Sequence, residues 1–266
     1  MSPDAREVEL RRLAQPELAS YAERNATVLI PVGAIEQHGP HLPVEMDVYA
    51  AEQVSVAAAR EFDDVLVAPS IPWGLSHAHV DLGGTISIGP TTMLALAADV
   101  TETLLRSGFR RQVWINGHHG NKPILALVVY EAKRRYGLSV GAITYYDLAA
   151  AEFGDARRSE TGGSGHACEF ETSLLMHLSP DAVGDAQGIR RPVQPRTPRD
   201  FRDLTEPGQT AIGYTFAERF PEGIMGDPTV ATAETGARIW EAAVQGIVEF
   251  LADFRTLPPE GVTAER

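Results

Sequence analysis

The sequence predicts an α/β fold: a mainly parallel sheet flanked by helices on both faces, in three α/β/α layers. Two observations carry this. Short apolar runs alternate with stretches of helical periodicity along the first half of the chain. The runs themselves are apolar almost throughout, as strands are when helices cover both faces of a sheet.

Taken in order, residues 27–32 (TVLIPV) form a buried strand and residues 47–62 a helix. Residues 64–71 (DVLVAPSI) form a second strand, followed by the Gly-rich loop WGLSHAHVDLGGTISIGP. Residues 90–109 read as a helix, with Pro90 in its first turn and Met93, Ala97, Val100 and Leu104 at helical spacing. A third strand covers 112–116 (QVWIN), a helix 123–136 and a fourth strand 139–146. Beyond this the rhythm loosens. Residues 169–178 look helical, and 188–213, rich in Pro and Arg, form a long irregular excursion. A last helix over 233–254 buries Ile239, Ala243, Ile247 and Phe254. No repeat or linker interrupts the chain, so residues 1–266 are expected to form a single domain.

Bulk properties exclude several classes. The 266 residues suffice for one large α/β domain or two small ones, and 44% apolar with 22% charged residues is ordinary for a soluble globular protein. A formal net charge of −13 argues against nucleic acid, which needs clustered Lys and Arg. The lone cysteine, Cys168, permits no internal disulfide and fits a reducing compartment. The N-terminal stretch MSPDAREVELRRL is polar and lacks the apolar core of a signal peptide. No run approaches eighteen apolar residues, so no membrane span is expected. The expected location is the cytoplasm.

In open parallel sheets, ligands bind outside the carboxyl ends of the strands. The first strand runs into EQHGPHLPVEMD, which holds Glu36, His38, His41, Glu45 and Asp47 within twelve positions. The third runs into NGHHGN, with His118 and His119. Two His/acid clusters distant in sequence thus fall on one edge of the sheet. Imidazole and carboxylate suit Zn, Mn, Fe or Co, and a thiolate-rich site is excluded by the single Cys. Two dications about 3.5–4 Å apart repel by roughly 17–19 kcal/mol at an effective dielectric of about 20, so a paired site needs a bridging anion. Asp47 is a candidate bridge, and it also opens the next helix, where it could serve as N-cap.

PVGAIEQHGPHLPVEMD resembles the signature of the creatininase family of metal-dependent amidohydrolases. Four further segments resemble the family's in the same order: HVDLGGTISI (its His-x-x-Phe-Pro-Gly-Thr, with Leu82 and Gly83 replacing Phe and Pro), NGHHGN, HACEFETS and GDPTVATAETG. The resemblance implies a creatininase-like fold and two divalent metal ions per chain, Zn or Zn with Mn or Fe. Glu36, Asp47 and His118 would hold one, and His38, Asp47 and Glu171 the other. His166 would be the general acid/base. It also implies a homo-oligomer, a hexamer, acting on a small-molecule substrate.

The expected reaction is hydrolysis of a non-peptide or cyclic amide C–N bond by metal-activated water. One alternative is removal of a formyl group from a nucleotide-like substrate; Arg190, Arg191, Arg196 and Arg199 could hold its phosphate, although a solvated basic loop is the expected reading of these four. Another is a binding protein that keeps the metals without turnover. His79, His119, Tyr146 and Trp73 are the candidate substrate contacts. His41 is expected to be structural, Cys168 a small buried residue and Glu169 a weaker rival of Glu171. Trp114 and Trp240 look like core.

The chain also departs from creatininase itself. Gly120 replaces an additional Glu, and Tyr146 and Gly162 stand where two tryptophans close over creatinine. Creatinine is therefore not the expected substrate.

Overall fold

Every residue of β1 (Thr27–Val32) is buried, and alternate residues serve different cores. Val28, Ile30 and Val32 join Leu66 and Trp114 on one face of the sheet, while Leu29 joins Val65, Val67, Val113, Ile115 and Ile143 on the other. Side chains of a strand alternate between faces, so an unbroken apolar run is what two helical layers require. The computed structural model describes residues 6–258; of the polar N-terminal stretch, residues 1–5 lie outside it.

The sheet is fully parallel, in the order β2 (Val65–Val67), β1, β3 (Arg111–Asn116), β4 (Gly141–Thr144). One helical layer contains α1 (Gln15–Glu23), α3 (Pro90–Arg106) and α4 (Lys122–Tyr136). The opposite layer contains α2 (Met46–Arg60), α7 (Glu169–Leu178) and α9 (Ala233–Phe254). The short helices α5 (Tyr145–Leu148) and α6 (Ala150–Ala156) pack against α9 in that layer, and α8 (Phe216–Arg219) joins a small separate cluster with Val193, Phe220 and Met225. Among the described residues no helix is long and apolar enough to cross a membrane.

From β1 the chain crosses to β2 on one side and then to β3 on the other. The crossover direction reverses between β1 and β3, and the crevice there is where open α/β sheets bind ligands. The start of α2 sits directly in that crevice. A Cβ on Gly117, just after β3, would lie 2.0 Å from the Asp47 carbonyl oxygen. Only glycine allows that approach, which sets the first turn of α2 against the strand ends.

Several boundaries differ from the sequence expectation. The second strand stops at Val67, and Ile71 rejoins β1 through a single bridge to Val32, beyond Pro69, which has no N–H to donate to a ladder. The fourth strand covers only Gly141–Thr144; Tyr145 and Tyr146, expected at its end, open α5 instead. Helix α2 begins one residue early, at Met46, so Asp47 lies inside its first turn and is not the N-cap. Helix α1 was not anticipated, having a weak apolar stripe with Tyr21 as its one buried residue. The excursion over 188–213 is irregular as expected.

Candidate active site

Four elements deliver the acidic and imidazole side chains to one buried point. The loop after β1 brings Glu36 and His38, the turn after β3 brings His118, and the first turns of α2 and α7 bring Asp47 and Glu171. His118 Nδ1 lies 3.0 Å from Asp47 Oδ2 and 3.3 Å from Glu36 Oε2. His38 Nε2 lies 3.4 Å from Asp47 Oδ1 and 3.8 Å from Glu171 Oε1. Asp47 thus faces both imidazoles, one with each oxygen. Glu36, Asp47 and His118 offer donor atoms all within 4.8 Å of one another, and so do His38, His166 and Glu171.

Neighbouring groups orient the rings and decide which nitrogen faces the cluster. His38 Nδ1–H donates to the Glu36 carbonyl at 3.1 Å, which turns Nε2 toward Asp47. His118 Nε2–H donates to the Leu75 carbonyl at 3.2 Å, which leaves Nδ1 facing the carboxylates. His166 Nε2–H donates to the Gln37 carbonyl at 2.7 Å, so its Nδ1 is presented 3.5 Å from Glu36 Oε1. His79 is the opposite case. The Gln37 side-chain amide, fixed by Gly39 N–H on its oxygen, donates to His79 Nδ1 at 2.9 Å, so His79 directs Nε2–H at Glu36. Gln37 was missed in the sequence, although its place between Glu36 and His38 was a signal.

The donor set fits a cation. Glu36 Oε2, His38 Nε2 and Asp47 Oδ2 are buried and make no hydrogen bond of proper geometry, although they approach other donor atoms closely. Such orphaned buried atoms are costly unless a further partner supplies the missing interaction. Burial pushes the Glu36 carboxyl up to about 7, against the pull of His118. Burial would lower His118, but the Glu36 and Asp47 carboxylates hold it up to about 9. Buried negative charge here demands positive charge, which protons on the imidazoles or bound metal ions can supply. Burial, reinforced by His38 and His79, holds His166 well below the ordinary histidine value, so this ring is a neutral base.

Above the cluster opens a cavity of about 510 Å³. Its floor includes Glu36, Asp47, His118, His166 and Glu171, and its walls include Phe201, Leu204, Ile212, Tyr214 and Phe216. Phe216 stacks on His79 at 3.9 Å between ring centroids and meets His166 edge-on at 4.8 Å. At the mouth, exposed His119 lies parallel to Tyr146 at 6.3 Å. The Tyr146 hydroxyl is buried without a partner, and burial raises its pKa well above the ordinary value, so it stays a donor.

The structure therefore gathers Glu36, His38, Asp47, His118, Glu171, His166, His79, His119 and Tyr146 at one place. It does not bring Trp73 there. That side chain is 46% exposed and lies outside the cavity lining, next to Gly74, which pairs with Ser87. Glu169 is occupied elsewhere, accepting from Arg158 and Ser159 N–H at 2.7 and 2.9 Å. His41 bonds Thr172 Oγ1 at 2.9 Å, and Cys168 is fully buried. The aromatic wall from residues 201–216 was not foreseen, since that segment has no periodicity to read.

A parallel α/β/α fold with buried carboxylates and imidazoles at its crossover reversal, under a substrate-sized cavity, defines a metal-dependent hydrolase. The sequence profile of the creatininase family, creatinine amidohydrolase, matches residues 11–251, and the chain belongs to that family. A mycofactocin precursor peptide peptidase of Mycobacterium tuberculosis (strain ATCC 25618 / H37Rv) is 34% identical over 253 residues, covering 89% of this chain and 88% of that protein. The creatinine amidohydrolase of Pseudomonas putida is 28% identical over 250 residues, covering 88% and 92%. A creatininase crystal structure superposes with a TM-score of 0.79 at 27% identity, over 94% of this chain and 98% of the other. Similar creatininase structures include a Zn–Zn type and a Mn form.

Proposed function

We propose that this chain hydrolyses an amide C–N bond, non-peptide or cyclic, in a substrate larger than creatinine that carries an apolar or aromatic group. The observation that carries this is the cavity of about 510 Å³ whose apolar walls, Phe201, Tyr214 and Phe216, stand over the carboxylate and imidazole cluster. A modified or cyclised peptide end has that size and character, and the similarity to peptidases of a peptide precursor supports the same direction.

Glu36, Asp47 and His118 would hold one divalent ion, and His38, Asp47 and Glu171 a second, Zn or Zn with Mn or Fe. When bound, such ions supply Lewis acidity, polarising the carbonyl and lowering the pKa of water toward neutrality. The chain's own groups do the rest. His166, neutral and anchored through Nε2–H on the Gln37 carbonyl, takes the proton of the attacking water at Nδ1 and returns it to the leaving nitrogen. Phe216 keeps water off the His79 and His166 rings. Tyr146, in the cavity lining beside His119, offers its ring to the substrate. We further infer a single cytoplasmic domain assembled as a homo-hexamer, on the family resemblance.

The test is a steady-state screen of metal-replete enzyme on creatinine, lactams, formamides and short peptide amides with apolar or aromatic ends. The last group is expected to turn over best. A formylated aminopyrimidine nucleotide as best substrate would favour the deformylase. Full metal content with no turnover on any compound would favour a binding protein.

A further inference from the structure

A second cavity, of about 430 Å³, adjoins the active site and is lined by Arg190, Arg191, Arg196, Arg219, Gln194 and Phe220. Tyr214 connects the two. Its ring lines the active-site cavity, while the Arg196 and Arg219 guanidinium carbons lie 5.2 and 4.8 Å from its centroid.

The charges around this cavity do not cancel. Arg190 pairs with Asp227 at 2.7 Å, Arg191 with Glu222 at 2.5 Å and Arg196 with Asp200 at 3.1 Å. Arg219 meets no carboxylate among the described residues; its Nη2 donates to the Gln194 carbonyl at 2.7 Å. The cavity thus holds one cation in excess, on a chain whose formal net charge is −13. Each guanidinium has five N–H donors, and a single carboxylate partner leaves several of them for another acceptor. Planar guanidiniums converging on a cavity match the oxygens of phosphate and carboxylate groups, and the aromatic contacts of Arg196 and Arg219 hold two of them in place.

We propose that this arginine-lined cavity is an oxyanion-binding site, taking a phosphate-type or carboxylate group. It stands independently of the substrate assignment above. Tyr214 gives the anion two routes to matter: as the far end of a substrate lying in the main cavity, or as a free ion that shifts Arg196 and Arg219 and with them the ring.

The experiment is titration calorimetry on metal-replete protein with inorganic phosphate and, separately, succinate, for wild type, Arg219→Gln and Arg191→Gln. Both replacements lie on partly exposed side chains, and unchanged melting curves confirm that they fold. Saturable binding of either anion by wild type, weakened about tenfold or more in both variants, is expected. With the best substrate in hand, a rise in KM at constant kcat on adding the anion supports a substrate-borne group. A change in kcat at constant KM supports a free ion. No saturable binding of either anion overturns the proposal. Wild-type affinity in both variants does so as well, and places the anion at the metal ligands instead.

Discussion

His118 Nδ1 lies 3.0 Å from Asp47 Oδ2, while the other oxygen of the same carboxylate lies 3.4 Å from His38 Nε2. One aspartate therefore serves both halves of the cluster. Asp47→Ala is expected to lose more metal than replacement of Glu36, His38, His118 or Glu171, because it removes the group that both proposed ions would share. Elemental analysis of the purified variants checks this. Two ions per chain in Asp47→Ala would rule out the bridge.

His166→Ala should separate chemistry from metal binding. Its Nε2 is anchored on the Gln37 carbonyl, and its Nδ1 faces the cluster. Removing a general acid/base costs about 100-fold to 10,000-fold in turnover, whereas the expected ligands remain intact. The expected result is that loss in kcat with metal content near wild type. Loss of an ion in proportion to activity would make His166 a ligand instead, which its grouping with His38 and Glu171 allows geometrically.

What the sequence reveals and what it hides follow from how each part is encoded. Glu36, His38 and His118 were legible because apolar strands locate the sheet, and a parallel sheet puts its strand ends on one edge. Their chemistry was then visible as residue type. Tyr214 and Phe216 were not legible: they come from an aperiodic segment whose path is fixed by tertiary contacts, such as Asp203 accepting from Arg157 and from the Gly162 N–H. Trp73 failed for the reverse reason. An aromatic on a loop beside a site suggests a contact, but burial depends on which way the loop turns.

Phe216→Ala probes that aromatic wall. The ring is buried, stacked on His79 at 3.9 Å and edge-on to His166 at 4.8 Å. Truncating a buried Phe costs about 3–5 kcal/mol of stability, and the gap admits water beside both imidazoles. A lower melting temperature and a fall in kcat larger than the rise in KM are expected. Phe216→Leu should recover much of the stability, and kcat only in part, since an aliphatic side chain cannot stack on the ring. Equal recovery of both would make Phe216 a packing residue only.

Asp203 makes a separate prediction about acid stability. It is fully buried and accepts from both Nη atoms of Arg157 at 2.8 Å and from Gly162 N–H at 2.8 Å, with a further bond from the Ser164 hydroxyl. Burial pushes its carboxyl up, but the Arg157 and Ser164 hydrogen bonds outweigh that and hold it at about 2. The unfolded value is about 3.9. A depressed folded pKa gives stability that is complete above the unfolded value and disappears as pH falls through the folded one. Asp203→Asn should therefore cost about 3 kcal/mol at neutral pH, leaving the Arg157 charge unpaired. The gap between variant and wild type should narrow from about pH 4 toward pH 2. Denaturant unfolding across that range measures it, and a gap that stays constant would show that the Asp203 carboxylate contributes no pH-dependent stability.

Creatinine is expected to be a poor substrate, for reasons built into the backbone. Gly162, where creatininase has a covering tryptophan, lies outside the cavity lining at φ +94°, with its N–H on Asp203 and its Cβ position 3.2 Å from the Val193 carbonyl. A side chain there would be strained. Gly120, where creatininase has an additional carboxylate, is tighter still: a Cβ would lie 2.5 Å from both the Leu75 carbonyl and His118 Nε2. Those two atoms hold the His118 ring in place through their own hydrogen bond. Gly120→Glu is therefore expected to lower metal content, by dislodging His118, and not to bring creatinine turnover. Tyr146 can still stack on a small ring, but one stacking partner contributes only about 0.5–1.5 kcal/mol beyond buried area. A single small ring would leave most of the 510 Å³ cavity to water, which weakens orientation at the reacting carbon. Steady-state kinetics of wild type and Gly120→Glu with creatinine, alongside metal analysis, decide the matter. Creatinine turnover in wild type that exceeds every apolar amide tested would show that the aromatic wall closes over a small ring after all.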